Sequence, residues 1–282
     1  MRRLVAAGIH RFVQNAPNDS AYAARFSRAN RRWGLPYDLG YDHELESFVV
    51  SSDGLSYLIP RRSRLRFLKK GIAHRRHELI HEYMLDCVPF TPGDIVIDVG
   101  ANIGEVSMLL SDLFDATPLA FEPEHREFTA LKQNLSSRRS FASNALLWSH
   151  ETEVLFHSAN GTGDSSVFEV AGATAVNPRK TATLDAVLEQ TPFAENAIRL
   201  LKLEAEGAEP EILLGATKTL ARTEFVTADL GPERGVDHAT TLIPVLNFLV
   251  AAGFEPIEFR LPRVAMLFKR RVTGAAQNGL GA

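Results

Sequence analysis

With 282 residues, 45% of them hydrophobic, the chain can bury one large core and carry an extension besides, which excludes a disordered protein. The single cysteine, Cys87, excludes an internal disulfide framework and a cysteine-based zinc site; it fits a reducing, cytoplasmic setting and reads as a packed thiol. A net charge of −3 conceals a division, because residues 1–76 hold 15 Arg and Lys against 6 Asp and Glu, leaving 16 against 28 in the remainder.

The basic region holds Arg31-Arg32, Arg61-Arg62-Ser-Arg64-Leu-Arg66 and Lys69-Lys70. Such clusters suit an anionic acceptor or an anionic surface, or they form a solvated face against the acidic remainder. The arginines lack the regular aromatic interleaving of a nucleic-acid stacking platform, so no nucleic-acid partner is expected. No apolar run approaches the ~20 residues that span a bilayer, so no transmembrane segment is expected. The opening Met1-Arg-Arg-Leu-Val-Ala-Ala-Gly-Ile-His10-Arg11 has no small-residue cleavage site and does not read as a signal peptide. The oligomeric state is not written in the sequence.

In chain order, residues 1–45 read as a helical or irregular arm, with its best helical piece at Ala21-Tyr-Ala-Ala-Arg-Phe26. Residues 47–59 read as a hairpin turning at Asp53-Gly54, a dipeptide suited to a type I′ turn. Residues 1–75 thus make a basic extension, a lid or substrate region, before a core at 76–271 and a Gly- and Ala-rich tail at 272–282 that is expected to be mobile. A helix at 72–87 leads into strands near 95–99, 117–121, 143–148, 198–204 and 224–229, with helices near 103–114, 124–136, 208–221 and 237–252. A polar insert at 151–179 reads as a β-excursion. Phe254–Arg260 and Arg263–Lys269, with only Leu-Pro between them, must pair as a hairpin. The expected fold is α/β: a doubly wound, mostly parallel, Rossmann-like seven-stranded sheet with helices on both faces and an antiparallel C-terminal hairpin.

Ile95-Val-Ile-Asp-Val-Gly-Ala-Asn-Ile-Gly104 is a buried strand that ends in a carboxylate and two spaced glycines before a helix, the wall of a cofactor pocket. A dinucleotide site would want G-x-G-x-x-G, and Ala101 and Asn102 break that pattern. The spacing fits S-adenosylmethionine better, since that cofactor lacks a pyrophosphate. Glu122 closes the next strand about twenty residues on, where doubly wound folds grip ribose hydroxyls. The expected cofactor-binding residues are therefore Asp98, Gly100, Asn102, Gly104 and Glu122, with Asn144 near the adenine amine.

Methyl transfer to an acceptor that must lose a proton needs a base near the strand ends. Glu204 and Glu206 straddle Ala205 at the end of the fourth strand, where alternation points both to one side and like charge would raise one pKa. Glu206 is the favoured acid–base residue, Glu204 the second, and Lys202 shares their face and pairs with one of them. Glu209 reads mainly as a helix cap, Asp229 as a turn residue beside the crevice, and Asp185 as an anchor of the helix after it. Gly161-Thr-Gly163-Asp164-Ser-Ser166 reads as a loop over the pocket, and His150 and His157 as surface or packing residues. No metal centre is expected, although a carboxylate-only Mg²⁺ site stays open.

These residues resemble those of the FkbM-type, class I S-adenosylmethionine-dependent methyltransferases. Gly93–Gly104, Ala120-Phe-Glu-Pro123 and Leu201-Lys-Leu-Glu-Ala-Glu-Gly-Ala-Glu209 carry the resemblance, with Thr183-Leu-Asp185 as a fourth block. It spans about residues 75–270. Glu204 stands where the family usually has aspartate. The resemblance implies O-methylation of a hydroxyl on a sugar, polyketide or other secondary metabolite, with S-adenosylhomocysteine as co-product. Two other readings stay open: a nicotinamide-dependent oxidoreductase, and a non-catalytic module that binds through its basic N-terminal region. The amino-group version is disfavoured, because no Asn-Pro-Pro-Tyr-like block follows the fourth strand.

Overall fold

The structure is a computed structural model that describes residues 15–34, 36–158, 165–169 and 175–271. The first eleven residues, most of the loop through Asp164 and the 272–282 tail, each of which carried an expectation, lie outside the described residues.

A first helix, α1 (Asp19–Trp33), starts where the Asn18 side chain accepts from the Ala21 amide and stops at left-handed Gly34. Three short antiparallel strands follow, β1 (Asp38–Asp42), β2 (Ser47–Ser52) and β3 (Leu55–Ile59), in spatial order β1-β2-β3. Asp53 and Gly54 both adopt positive φ between β2 and β3, as a type I′ turn requires. The hairpin therefore carries a third strand, β1, inside the stretch read as an arm. Asp38-Leu-Gly-Tyr-Asp has weak strand propensity and is extended by pairing Leu39 with Val50 and Tyr41 with Phe48.

The main sheet contains β4 (Ile95–Val99), β5 (Thr117–Phe121), β6 (Phe141–Ser143), β10 (Ile198–Leu203), β11 (Thr223–Asp229), β12 (Phe254–Arg260) and β13 (Ala265–Arg270). Its order is β12-β13-β11-β10-β4-β5-β6. All neighbours are parallel except that β13 runs antiparallel between β11 and β12. A dinucleotide-binding sheet would have needed a further crossover helix at that edge. The strand expected near 143–148 is split: β6 ends at Ser143 in the main sheet, and β7 (Leu146–Leu147) joins β8 (Glu153–Ser158) and β9 (Ala175–Ala182), which arise from the expected insert, in a separate small sheet.

Helices cover both faces of the main sheet. Ile97, Leu201 and Val226 face one layer made by α5 (Leu184–Glu189), α6 (Glu209–Leu214), α7 (Thr217–Ala221) and α8 (Leu242–Ala251). Val96, Leu200 and Phe225 face the other way, against Leu79 of α2 (Ile72–Glu82) and Val106, Leu109 and Leu110 of α3 (Glu105–Phe114). The single helix expected over 208–221 is two, because the chain breaks at Gly215-Ala216. Asp185, expected to cap or anchor the helix that follows it, instead anchors the second of these: its carboxylate accepts from the Lys218 and Thr219 amides, while Thr183 caps the helix Asp185 sits on.

The basic extension shares this core. Phe48, Val50, Tyr57 and Ile59 pack with Ala101, Ile103, Met108 and Leu131, the last from α4 (His125–Leu135). Asn134 of α4 clamps both backbone groups of Leu58, and a buried Arg61–Glu127 pair ties the two parts together. That packing fixes the arginine-rich segment after β3 against the open end of the sheet. Cys87, read as a packed thiol, is exposed instead.

Candidate functional site

At the C-terminal ends of the strands two cavities meet, one of about 100 Å³ and one of about 570 Å³. This is where an open α/β sheet binds its ligands. The cavities share Arg64, Gly100, Asn102, Glu204 and Glu206 as wall residues.

The loop after β4 is held without slack. The Gly100 and Ala101 amides both donate to the Phe121 carbonyl at 3.0 Å. A Cβ on Gly100 would stand 1.8 Å from the Glu204 carbonyl oxygen, so only glycine allows β4 and β10 to approach here. Asn102 follows in a left-handed conformation, φ 51°, and its amide donates to Glu122 Oε2 at 2.8 Å. The other Glu122 oxygen accepts from the Glu124 amide at 2.8 Å. Burial outweighs these dipoles and pushes the Glu122 carboxyl up to about 7. Beside it the smaller cavity is apolar, lined by Phe121, Leu146, Leu147, Phe156 and Ile212.

Asp98, expected against the cofactor, is fully buried beneath the loop. It accepts from Ser107 Oγ at 2.6 Å and pairs with Lys202 Nζ at 3.1 Å, directly across the sheet. Gly104 lies against Leu131 and leads into α3, and Asn144 donates both ways to the Glu122 and Pro123 carbonyls. None of the three lines either cavity. Of the six expected cofactor residues, the structure thus puts Gly100, Asn102 and Glu122 on the wall and the others behind it.

Lys202 reaches four oxygens: the Val99 and Gly100 carbonyls at 3.1 and 2.9 Å, Asp98 and, at 3.1 Å, Glu204. Burial opposes its charge, but Asp98 and Glu204 prevail and raise its pKa, so it stays an ammonium tie between β4 and β10. Glu204 also accepts from the Tyr83 hydroxyl and from Arg263. Burial works against its charge too, yet Lys202 and Arg263 hold its carboxyl well below the usual carboxylate range. The like-charge elevation expected from Glu204 and Glu206 is therefore reversed at Glu204 by cations brought from β10 and the β12–β13 turn. A carboxylate held so low is a poor proton acceptor near neutral pH.

Glu206 adopts a left-handed conformation, φ 49°, and lines both cavities. Its turn is clamped from three sides. Glu209 accepts from the Ala205 and Gly207 amides at 2.7 and 3.2 Å, Ser166 Oγ donates to the Glu206 carbonyl at 3.0 Å, and Arg234 donates to the Gly207 carbonyl at 2.8 Å. A side chain on Gly207 would sit 2.6 Å from Arg234 Cα. Glu209, expected mainly as a helix cap, instead ties the turn before its helix, which has no side-chain cap, and so fixes the turn that carries Glu206. Non-glycine residues in left-handed backbone on both sides of one cavity are strain of the kind that collects at functional sites.

Three site groups escaped sequence reasoning. Tyr83, Arg263 and Glu233 all line the larger cavity. Arg263 Nε donates to Asp229 at 2.6 Å and its guanidinium lies 3.8 Å from Glu233. Burial, with Asp229 and Glu204 nearby, pushes the Glu233 carboxyl up to about 8. Asp229 is also the turn residue expected, accepting from the Gly231 amide. His77-Glu78-Leu-Ile-His81 has the H-E-x-x-H spacing of zinc proteases, but both histidines are exposed and no group of three metal-ligating side chains occurs among the described residues. Nor is any helix among the described residues long and apolar enough to cross a membrane. His150 and His157 are outside both cavities, whereas Ser165 and Ser166 line the smaller one.

Comparison with known proteins agrees with this geometry. The methyltransferase FkbM domain matches residues 98–255, more than half of the chain. The 2-O-methyltransferase NoeI of Sinorhizobium fredii is 21% identical over 209 residues, which cover 68% of this chain and 86% of that protein. Similar solved structures include a precorrin-6y C5,15-methyltransferase from Geobacter metallireducens, at 12% identity and TM-score 0.40 over 70% of this chain and 89% of that one. Another is a TehB-like SAM-dependent methyltransferase from Corynebacterium glutamicum, at 11% identity and TM-score 0.39 over 71% and 96%. Superpositions this loose carry no argument; the strand order and the domain match do, and by them the chain belongs to the FkbM methyltransferase family and is an S-adenosylmethionine-dependent methyltransferase.

Proposed function

We propose that this enzyme methylates a hydroxyl of a sugar or secondary-metabolite-like small molecule. The observation that carries the reading is the pair of carboxylates, Glu206 and Glu233, on the wall of a 570 Å³ cavity that adjoins the Glu122 slot through the shared Gly100–Asn102 loop. A cavity of that size takes a sugar-sized acceptor. The likeness to a 2-O-methyltransferase supports an oxygen nucleophile. Family membership sets aside the nicotinamide-dependent and non-catalytic readings.

The residues fit the cofactor. Each Glu122 oxygen keeps a lone pair beyond its backbone amide for the ribose hydroxyls, and the apolar slot beside it suits a flat base. S-adenosylmethionine supplies a methyl group on a sulfonium, an electrophile that needs no metal. The protein's part is to hold the acceptor oxygen in line with that methyl group and to remove the hydroxyl proton as the C–O bond forms and the C–S bond breaks. Glu206, fixed by its clamped turn, receives that proton. Glu204 and Lys202 keep the floor of the site charged and rigid, and do not exchange protons.

Glu206→Gln is expected to lower kcat by about 10²- to 10⁴-fold, with S-adenosylhomocysteine affinity by isothermal titration kept within about threefold. Lost cofactor affinity with kcat retained would overturn the assignment. A second reading rests on Glu233, whose carboxyl near 8 is matched to proton transfer at neutral pH. If Glu233 is the base, Glu233→Gln and not Glu206→Gln removes the rise of kcat/KM with pH through about 8.

A further inference from the structure

The larger cavity has one wall that the methyl-transfer chemistry leaves unused. The 3₁₀ segment Arg62–Leu68 and the start of α2 place three guanidinium groups around one ring: Arg64, Arg66 and Arg75 stand 5.1, 4.7 and 5.0 Å from the Phe67 centroid. All four residues line the larger cavity, and only Arg64 also reaches the smaller. Against three positive charges the cavity wall offers this group one carboxylate, Glu105, at 3.9 Å from Arg64 and 3.6 Å from Arg75, too far for hydrogen bonds. Arg75 is only 6% exposed, yet among the described residues its Nε has no hydrogen-bond partner, and neither does the buried Nε of Arg64. Arg75 is otherwise held by Glu82 at 3.2 Å and Glu78 at 3.9 Å, which do not line the cavity. Arg66 is exposed at the rim and has no carboxylate within ion-pair distance among the described residues. The N-terminus of α3 adds its positive end beside Glu105.

Buried guanidinium groups with unspent donors are costly unless something completes them. Forked donors stacked on an aromatic face match the geometry of a carboxylate or phosphate. We propose that Arg64, Arg66 and Arg75, gathered around Phe67, bind an anionic substituent, a phosphate or carboxylate, carried by the methyl acceptor. The enzyme's substrate class is then an acidic or phosphorylated hydroxyl compound and not a neutral sugar. This deepens the O-methyltransferase reading and rests on it. The other acids of the cavity do not compete for these arginines: Lys202 and Arg263 hold Glu204, and Arg263 faces Glu233. Glu206 lies on the turn after β10 and lines both cavities.

The same chemistry also describes the carboxylate of the cofactor's own methionine end, and the test separates the two sources. Inorganic phosphate is titrated into the full chain saturated with S-adenosylhomocysteine, at constant ionic strength held by potassium chloride. The expected result is saturable phosphate binding that weakens at least tenfold in Arg66→Glu, while S-adenosylhomocysteine affinity changes less than threefold. Arg66 is exposed, so this variant leaves the core intact, and Arg66→Lys, which keeps the charge, should recover part of the affinity. Phosphate binding equal in wild type and Arg66→Glu, or absent from both, overturns the proposal. If S-adenosylhomocysteine abolishes phosphate binding and Arg66→Glu weakens the cofactor itself tenfold, the arginines serve the cofactor and the acceptor assignment is overturned. Failure of wild type to bind S-adenosylhomocysteine would defeat the methyltransferase reading instead, and phosphate titration of the cofactor-free chain would still decide the anion site.

Discussion

The strands on either side of β4, β5 and β10, are each followed by a glutamate beside the cavities, and the two carboxyls behave oppositely. Glu122, after β5, is pushed up to about 7; Glu204, after β10, is held well below the usual range. Burial raises both. What differs is the compensation, since among the described residues Glu122 accepts from the Asn102 and Glu124 amides and feels Lys202 only at a distance, whereas Glu204 lies directly against Lys202 and Arg263. Dipoles offset part of the desolvation of a buried carboxylate; two full charges more than offset it. One side of the loop is therefore poised to respond to a ligand, and the other is fixed.

Gly100 stands between the two, and Gly100→Ala should erase the difference by breaking the site. Its Cβ would overlap the Glu204 carbonyl and would occupy left-handed backbone, φ 69°. A loss of about 4 kcal/mol or more in urea unfolding is expected, with no measurable S-adenosylhomocysteine binding. A folded variant with wild-type affinity would show that the loop is not held as described.

Arg263→Ala should turn the Glu204 side into something closer to the Glu122 side. Removing one partner of a buried ion pair typically costs ~3–5 kcal/mol. Arg263 keeps 37% of its side chain exposed, so about 2 kcal/mol is the scale expected after solvent screening. Its loss leaves Glu204, Asp229 and Glu233 facing one another, so destabilisation in urea should grow as pH rises from 6 to 9. An unchanged midpoint across that range would contradict the network.

Glu122→Gln sharpens the comparison through pH. The folded carboxyl titrates near 7 against an ordinary 4.5, so its contribution to stability is present below about 4.5 and is lost as pH rises through about 7. The ligand-free wild type should lose up to about 3 kcal/mol over that interval, and the glutamine variant should show a flatter profile. Ribose hydroxyls donate best to the ionised form, so cofactor binding should tighten as pH rises through 7 and release a proton, read by titration in buffers of different ionisation enthalpy. In the variant the affinity should fall by about tenfold, or ~1.4 kcal/mol, and lose that pH dependence.

How much of this was legible followed chain separation. The Glu122 side is encoded in one continuous stretch from Gly100 to Glu124, and its strand, turn and acid can be read directly. The Glu204 side is assembled from Tyr83, Lys202, Glu204 and Arg263, the first and last separated from Glu204 by 121 and 59 positions. Only the strand order brings them together, because antiparallel β13 sits beside β11 and so delivers the turn with Arg263 to the end of β10. β1 was hidden for the related reason that its extension is conferred by β2 and not by its own residues. Glu206 was legible as an acid at a strand end, while the left-handed turn that aims it depends on Arg234 and Ser166, both remote in sequence.

Asp98 gives the smallest test. It is the carboxylate that the first core strand announces most plainly, yet it lies beneath both cavities and acts through Lys202. Ser107 from α3 is its one hydroxyl donor among the described residues, at 2.6 Å, inside a site where neither residue is exposed. Ser107→Ala removes that hydrogen bond and little volume, and should cost about 1–2 kcal/mol in urea unfolding. Because Lys202 also holds the Gly100 carbonyl, the looser ion pair should be felt at the loop as a two- to threefold weaker S-adenosylhomocysteine affinity. Destabilisation with affinity wholly unchanged would mean that Asp98 supports the sheet alone and does not position the loop above it.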